Sequence, residues 1–210
     1  MNRVIIFTLL IFFFACKKIQ RPVTFITDSV NYKVILKEGQ IPDVDWDPYL
    51  TEIENDFIIE AKKSGVIIPE KTRNKLRHLK FVEEFSTPKE KGVAATCTRY
   101  SVYDQYISGI TLTNQEKKWL SIEVLRPALE NYTKNLNENE KKRKTYELIF
   151  HELFHCYLDK GHLPQNYDGV MNPVLDSSSR RAIDHWDALV EEMFSPTYLS
   201  IIPDVDLEEL

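Results

Sequence analysis

One segment in the C-terminal half constrains the fold most, because its apolar residues recur with the period of an α-helix. They fall at i, i+3, i+4, i+7, i+8 and i+11, namely Tyr146, Ile149, Phe150, Leu153, Phe154 and Tyr157. This spacing is typical of a helix with one face in a hydrophobic core. A polar break at 135–139 precedes the segment. We therefore expect a long helix over about 140–159, which Gly161 ends in the left-handed conformation.

Two histidines and a glutamate on this helix lie outside its apolar stripe. His151 and His155 are four residues apart, so their rings share one face of the helix. Ring nitrogens at that spacing can reach one metal ion at about 2.0–2.1 Å. Glu152 lies one step around the helix and can take a proton from the metal-activated water. This H-E-x-x-H pattern predicts a Zn²⁺ site that hydrolyses peptide bonds, with Glu152 as general base and acid.

The residues after the helix form a second pattern. His162 directly follows Gly161, and Val170-Met171-Asn172-Pro173 comes after it. This order resembles the metzincin clan of zinc peptidases, in which a third histidine returns to the metal and a methionine-bearing turn runs beneath the site. The resemblance covers about residues 107–194. It implies that His162 is the third zinc ligand and that Met171 supports the site.

The chain departs from the clan in one place. Metzincins have a glycine three residues after the second histidine and the third histidine three further on. Here those places hold Leu158 and Gly161, so His162 comes one residue late.

The resemblance also implies an edge strand that pairs with substrate and a helix after the methionine-bearing turn, or Met-turn. The β-branched, alternating segment Ile107–Thr113 fits the strand, and 179–194 fits the helix.

A rival set of ligands stays open. It resembles the gluzincins, the thermolysin-like clan, whose third ligand is a glutamate on a later helix. Glu191 and Glu192 lie on the predicted helix 179–194, although Val190 stands where that clan has asparagine. Asp168 offers another carboxylate. Two further interpretations are a non-catalytic lipoprotein that holds zinc or binds peptide, and a zinc hydrolase of a non-peptide bond.

The N-terminus predicts export and a lipid anchor. A short positive start with Arg3 precedes an apolar stretch too short to span a bilayer core, which needs about 20 residues. This is the anatomy of a signal peptide. Its end, Ala15-Cys16, resembles the lipobox of bacterial lipoproteins. The resemblance implies a signal peptide at 1–15, a lipidated Cys16, a tether at 17–30 and a location on the periplasmic or cell-surface face of a bacterial membrane.

The chain has three cysteines, and lipid on Cys16 leaves Cys97 and Cys156. An even pair in a compartment that permits disulfides favours a bond between them. Two buried free thiols are the alternative, because the sequence does not give the distance between the two residues.

Composition and the remaining patterns indicate a single globular domain over 31–210. The residues are 43% hydrophobic and 28% charged, and the net charge of −5 leaves no basic surplus for nucleic acid. The one tight basic run, 141–144, is interpreted as the solvated start of the long helix. Other predicted elements are a strand at 34–36, a strand within 76–85, and a helix that begins at Pro48.

Together these patterns predict an α+β fold. We expect a mixed sheet, a long active-site helix, and a C-terminal helix after a Met-turn. The expected partners are a peptide or protein substrate and, through the lipid, a membrane. The protein is expected to act as a monomer.

Overall fold

The structure, a computed structural model, describes most of the predicted domain. Described are residues 25–27, 32–36, 41–87, 89, 93–108, 111–163, 169–172 and 180–204. Side chains are described for these ranges outside 25–36 and 101–117. The predicted signal peptide with Cys16, most of the predicted tether, and Asp168 lie outside the described residues. No helix in the described ranges is both long enough and apolar enough to span a membrane.

The described residues form a six-stranded mixed sheet and seven helices, which confirms the α+β class. The strands are β1 (Phe25–Thr27), β2 (Tyr32–Leu36), β3 (Asp45–Trp46), β4 (Leu76–Val82), β5 (Ala95–Ser108) and β6 (Thr111–Leu125). The helices are α1 (Pro48–Lys63), α2 (Glu70–Arg73), α3 (Arg126–Thr133), α4 (Glu138–Leu158), α5 (Arg181–Asp184), α6 (Trp186–Met193) and α7 (Pro196–Ile201). The strand order is β1-β2-β5-β6-β4-β3, in which β1–β2 and β5–β6 are antiparallel and the other pairs parallel.

Helix α4 lies in the middle of the core. It begins with a capping box, in which the Asn137 side chain accepts from the Glu140 N–H and the Glu140 carboxylate accepts from the Asn137 N–H. Every residue from Lys144 to Tyr157 is buried. Strand β5 and helices α1, α3 and α5 all pack against α4. The long predicted helix is therefore present, and protein surrounds its second half on all sides.

The prediction that the basic run 141–144 is solvated is wrong for its last residue. Lys144 is fully buried, and its Nζ lies 2.8 Å from a carboxylate oxygen of Glu147. The same carboxylate accepts from the Tyr132 hydroxyl at 3.3 Å. The helix has entered the core at this position, where an ammonium group needs a charged partner.

The segment Ile107–Thr113 is not a single strand. Strand β5 ends at Ser108, β6 begins at Thr111, and these two residues pair with each other in an antiparallel register. The segment therefore contains the reversal of a long hairpin. The alternation of apolar and polar residues continues through both arms, so it does not reveal the reversal, whereas Gly109 is a residue type that marks turns.

The predicted helix over 179–194 is two helices. His185 separates α5 from α6, with φ −135° and ψ 38°. Ala182 and Leu189, on either side of this break, are both buried, so two short helices keep one apolar face. Pro196 is the first residue of α7, a position where proline is favoured.

A buried carboxylate ties α1 to α2 and α4. Glu54 is fully buried, and the Arg73 guanidinium donates to both of its oxygens, at 2.7 and 2.6 Å. The Tyr157 hydroxyl donates to the same carboxylate at 2.8 Å. Two charge-assisted bonds and a third donor satisfy the carboxylate, which makes it tolerable inside the core. These bonds hold the C-terminal part of α4 against α1.

Replacing Arg73 with methionine should leave the Glu54 carboxylate buried with the Tyr157 hydroxyl as its main donor. We expect the free energy of unfolding to fall by about 3–5 kcal/mol, the usual cost of removing one partner from a buried pair. Urea denaturation followed by circular dichroism measures the change. Lys80→Met breaks the exposed pair with Asp45 and should cost less than about 1 kcal/mol. Equal losses in the two variants would contradict this account of the Glu54 site.

Candidate metal centre

The three predicted histidine ligands come together at one point. His151 and His155 lie one turn apart on α4, and His162 lies on the loop that follows it. The His151 Nε2 is 2.9 Å from the His155 Nε2 and 3.2 Å from the His162 Nε2. Three nitrogens bound tetrahedrally to one zinc at about 2.0–2.1 Å lie about 3.3 Å apart. Among the residues described, these three are the one group of histidine, cysteine or acidic side chains placed to share an ion.

Backbone carbonyls fix which nitrogen of each helical histidine is available to a metal. The His151 Nδ1–H donates to the Val170 carbonyl at 2.6 Å, and the His155 Nδ1–H donates to the Lys160 carbonyl at 2.6 Å. Because the proton is on Nδ1, the lone pair is on Nε2 in both rings. Burial lowers the pKa of His151 to about 3 and the pKa of His155 well below its usual value. Both rings are therefore neutral, as metal ligands must be.

The end of α4 directs the chain from the second histidine to the third. Asp159 adopts a φ of 55°, so it is the residue that ends the helix in the left-handed conformation. The prediction that Gly161 adopts this conformation is wrong. Aspartate is among the few residues besides glycine that adopt this conformation. The Arg99 guanidinium, from β5, lies 2.5 Å from the Asp159 carboxylate and also donates to the His155 carbonyl. The Arg99 side chain therefore binds both a carbonyl in the last turn of the helix and the residue that ends the helix. Both contacts stabilise the turn.

The last described residues support the same turn. The Gly161 N–H donates to the Pro203 carbonyl at 2.7 Å, and the Lys160 Nζ lies 2.6 Å from the Asp204 carboxylate. A Cβ on Gly161 would lie 3.3 Å from two atoms of Pro203, which is closer than an ordinary contact. Glycine is therefore suited to this position by the close approach of another backbone, and not by a positive φ.

Met171 lies in a tight turn inside the core. The Asn172 N–H donates to the Gly169 carbonyl at 3.1 Å, and the Met171 side chain is fully buried. The Met171 N–H donates to the hydroxyl oxygen of Tyr198, on α7, at 3.2 Å. A Cβ on Gly169 would lie 2.5 Å from that hydroxyl oxygen, so α7 and the turn fit together only around a glycine.

The backbone of this turn forms hydrogen bonds at the first histidine and directly after the third. The Val170 carbonyl accepts the His151 Nδ1–H, as described above. The Met171 carbonyl accepts from the N–H of Leu163, the residue after His162, at 2.8 Å. Through these two bonds the turn fixes the orientation of the first histidine and the path of the chain beyond the third.

Glu152, the predicted base, is buried beside the histidines. The backbone N–H of Cys97, on β5, lies near the Glu152 carboxylate and favours its charged form. Burial raises the pKa of Glu152 to about 7, and the Cys97 N–H and the Lys89 ammonium act in the opposite direction. A carboxyl group with a pKa near neutrality can both accept and return a proton at neutral pH. Lys89 was not singled out from the sequence, because no spacing relates it to α4.

A disulfide joins Cys97 to Cys156, with a Cα–Cα distance of 5.7 Å. Cys156 directly follows His155 on α4, and the backbone N–H of Cys97 lies near the Glu152 carboxylate. The bond therefore connects β5 to α4 at the level of the candidate site.

Glu191 and Glu192, the two rival acidic ligands that the structure describes, do not join the histidines. Glu192 pairs with the Arg181 guanidinium, and Glu191 is exposed. Neither belongs to the group of described side chains within reach of one ion. His185 is also exposed and lies outside that group.

Replacing His162 with alanine should weaken zinc binding by more than about 100-fold, because loss of an outer partner of a ligand alone costs about 10–100-fold. Competition with a chromophoric zinc chelator measures the dissociation constant. His185→Ala removes an exposed histidine and should leave the constant unchanged. If both variants bind zinc like the parent, His162 is not a ligand.

Replacing Gly169 with alanine should displace the turn that holds His151, because the new Cβ would overlap Tyr198 and would lie 2.9 Å from the Leu163 side chain. We expect zinc affinity to fall about 10–100-fold, as for other outer partners of a ligand. Gly65→Ala is the matched control. Gly65 has a φ of 81° and open space around it, so this variant should lose stability and keep its zinc affinity. Equal zinc affinities in the two variants would contradict the role of the turn.

Comparison with protein-family models, with curated proteins and with solved structures finds no match to this chain. The interpretation of the site therefore rests on its own residues. These are three histidines whose Nε2 atoms converge, two of them neutral because they are buried, and a buried glutamate next to the first of them.

Proposed function

We propose that this protein is a zinc-dependent peptidase in which His151, His155 and His162 hold the ion and Glu152 is the general base and acid. The observation that carries the proposal is the convergence of three histidine nitrogens beside a buried glutamate. Three protein ligands leave one position of a tetrahedral ion for water or substrate, which is typical of catalytic zinc sites. Structural zinc sites are typically closed by four protein ligands, and the described residues provide three.

The residues around the site suit hydrolysis. Zinc bound there would lower the pKa of a coordinated water towards about 7 and polarise the carbonyl of the substrate. Glu152 would accept a proton from the attacking water and pass it to the leaving amine. Its pKa of about 7 suits both transfers, and the Cys97 N–H orients its carboxylate.

The order of the site residues supports a metzincin-like arrangement. Asp159 adopts the left-handed conformation four residues after His155, and His162 follows three residues later. The metzincin pattern has its glycine three residues after the second histidine. The turn as a whole is thus displaced by one helical residue, while its spacing to the third histidine is that of the clan. The turn with Met171 and then helices α5 and α6 follow in the clan's order.

The disulfide supports the predicted export, because such bonds persist in oxidising compartments. Export and a lipid anchor on Cys16 are part of the proposal. Treatment of cells with labelled fatty acid, followed by capture of the protein, tests the anchor directly.

Replacing Glu152 with glutamine should leave the three histidines in place and remove the base. We expect the variant to bind about one zinc ion per chain and to lose about 10²–10⁴-fold in kcat/KM, the usual contribution of general acid–base catalysis. Cleavage of a quenched fluorescent peptide library and atomic absorption measure the two quantities. Glu191→Gln, at an exposed position, is the control. Parental cleavage by the Glu152 variant would show that the mechanism is wrong.

A further inference from the structure

We propose that the Cys97–Cys156 disulfide positions Glu152, so that the site is competent only when this bond is formed. This inference rests on the proposed function and adds two positioning residues outside the ligand set. Glu152 and Cys156 are four residues apart on α4 and therefore lie one turn apart on the same face. The disulfide is thus attached to the helix one turn from the base.

Cys97 contacts this face of α4 in two ways. Its sulfur is bonded to Cys156, and its backbone N–H lies near the Glu152 carboxylate and favours the charged form of that group. Both groups belong to one residue, so the covalent bond limits how far the N–H donor can move from the helix. Cys97 and Cys156 are both buried, so the packing around the bond restricts it further.

The other contacts between β5 and α4 do not serve the base in the same way. Arg99 binds the His155 carbonyl and the Asp159 carboxylate, which lie at the end of the helix on the path to the third histidine. Ala95–Cys97 pairs with β6, and in the described chain β2 reaches β5 only at Thr98. Without the disulfide, no described contact from β2 would hold Cys97 close to Glu152. Cys97 could then shift relative to α4 while its pairing with β6 keeps the sheet intact.

The bond also makes the site depend on oxidation of the chain. The two thiols lose two electrons and two protons when the sulfur–sulfur bond forms. A thiol–disulfide exchange protein can accept them, because its own disulfide is reduced to two thiols in the same reaction. The reduced chain would retain three histidines for zinc and hold Glu152 loosely. Peptide cleavage would then follow formation of the bond.

The test compares the parent with the C97A/C156A variant, with and without zinc. Hydrogen exchange of the residue 97 amide reports the contact with Glu152 independently of activity, and we expect it to accelerate at least about tenfold in the variant. In the zinc-loaded variant we expect kcat to fall about 10–100-fold, since a misplacement of about 1 Å can cost that much. KM and the zinc dissociation constant should each change by less than about threefold, because the histidines keep their own carbonyl partners.

Arg73→Met is the control for stability, because it weakens the fold through a pair that does not contact Glu152. Measured at a temperature at which circular dichroism shows every chain folded, it should keep the parental kcat and the parental exchange at residue 97. If the double variant does not fold, the parent is reduced with a phosphine in the presence of zinc. Its kcat should then fall and should return after reoxidation.

Two results would overturn the proposal. One is a double variant, or a folded reduced parent, with the parental kcat. The other is unchanged exchange at residue 97 after loss of the bond. If the oxidised parent cleaves no peptide, the proposed function fails, and exchange at residue 97 still decides whether the disulfide positions the Glu152 carboxylate.

Discussion

Two hydrogen bonds determine how the rest of the structure is arranged around the site. They run from the His151 Nδ1–H to the Val170 carbonyl and from the His155 Nδ1–H to the Lys160 carbonyl. A helix can place two histidines one turn apart, but it cannot by itself orient their rings. Each ring needs an acceptor from another part of the chain, and each acceptor must be held in place. The fold beyond α4 supplies these two acceptors and the contacts that fix them.

The two acceptors are held by different parts of the molecule. Lys160 lies in the turn between Asp159 and Gly161. The Arg99 guanidinium, from β5, binds the Asp159 carboxylate, and the Pro203 carbonyl accepts from the Gly161 N–H. Val170 lies in the turn that packs around Gly169 against Tyr198. Residues 198–204 therefore contact both turns. Helix α7 and the segment after it therefore support the two turns that orient the histidines.

The sequence predicted what local spacing determines. Helix α4, its apolar stripe and the histidine pair follow from a period of 3.6 residues, and Pro48 begins α1 because proline fixes the backbone for a first helical turn. Local spacing does not show contacts made across the fold. The Glu152 contact with Cys97 joins residues of different elements, and the path of the chain at Asp159 depends on Arg99. The hairpin reversal within 107–113 was missed because alternation continues through both arms of a hairpin.

The contact between Asp159 and Arg99 explains why aspartate stands at the end of α4, where glycine is usually preferred. A glycine at this position would adopt the left-handed conformation without strain, whereas other residues lose about 1–2 kcal/mol there. Asp159, however, provides a carboxylate that the Arg99 guanidinium binds at 2.5 Å, and the same guanidinium donates to the His155 carbonyl. A glycine would leave Arg99 without this anion and would weaken the link between β5 and the turn. With aspartate, the turn is strained but is bonded to Arg99 of the sheet. This bond fixes the turn relative to β5, and His162 follows the turn directly.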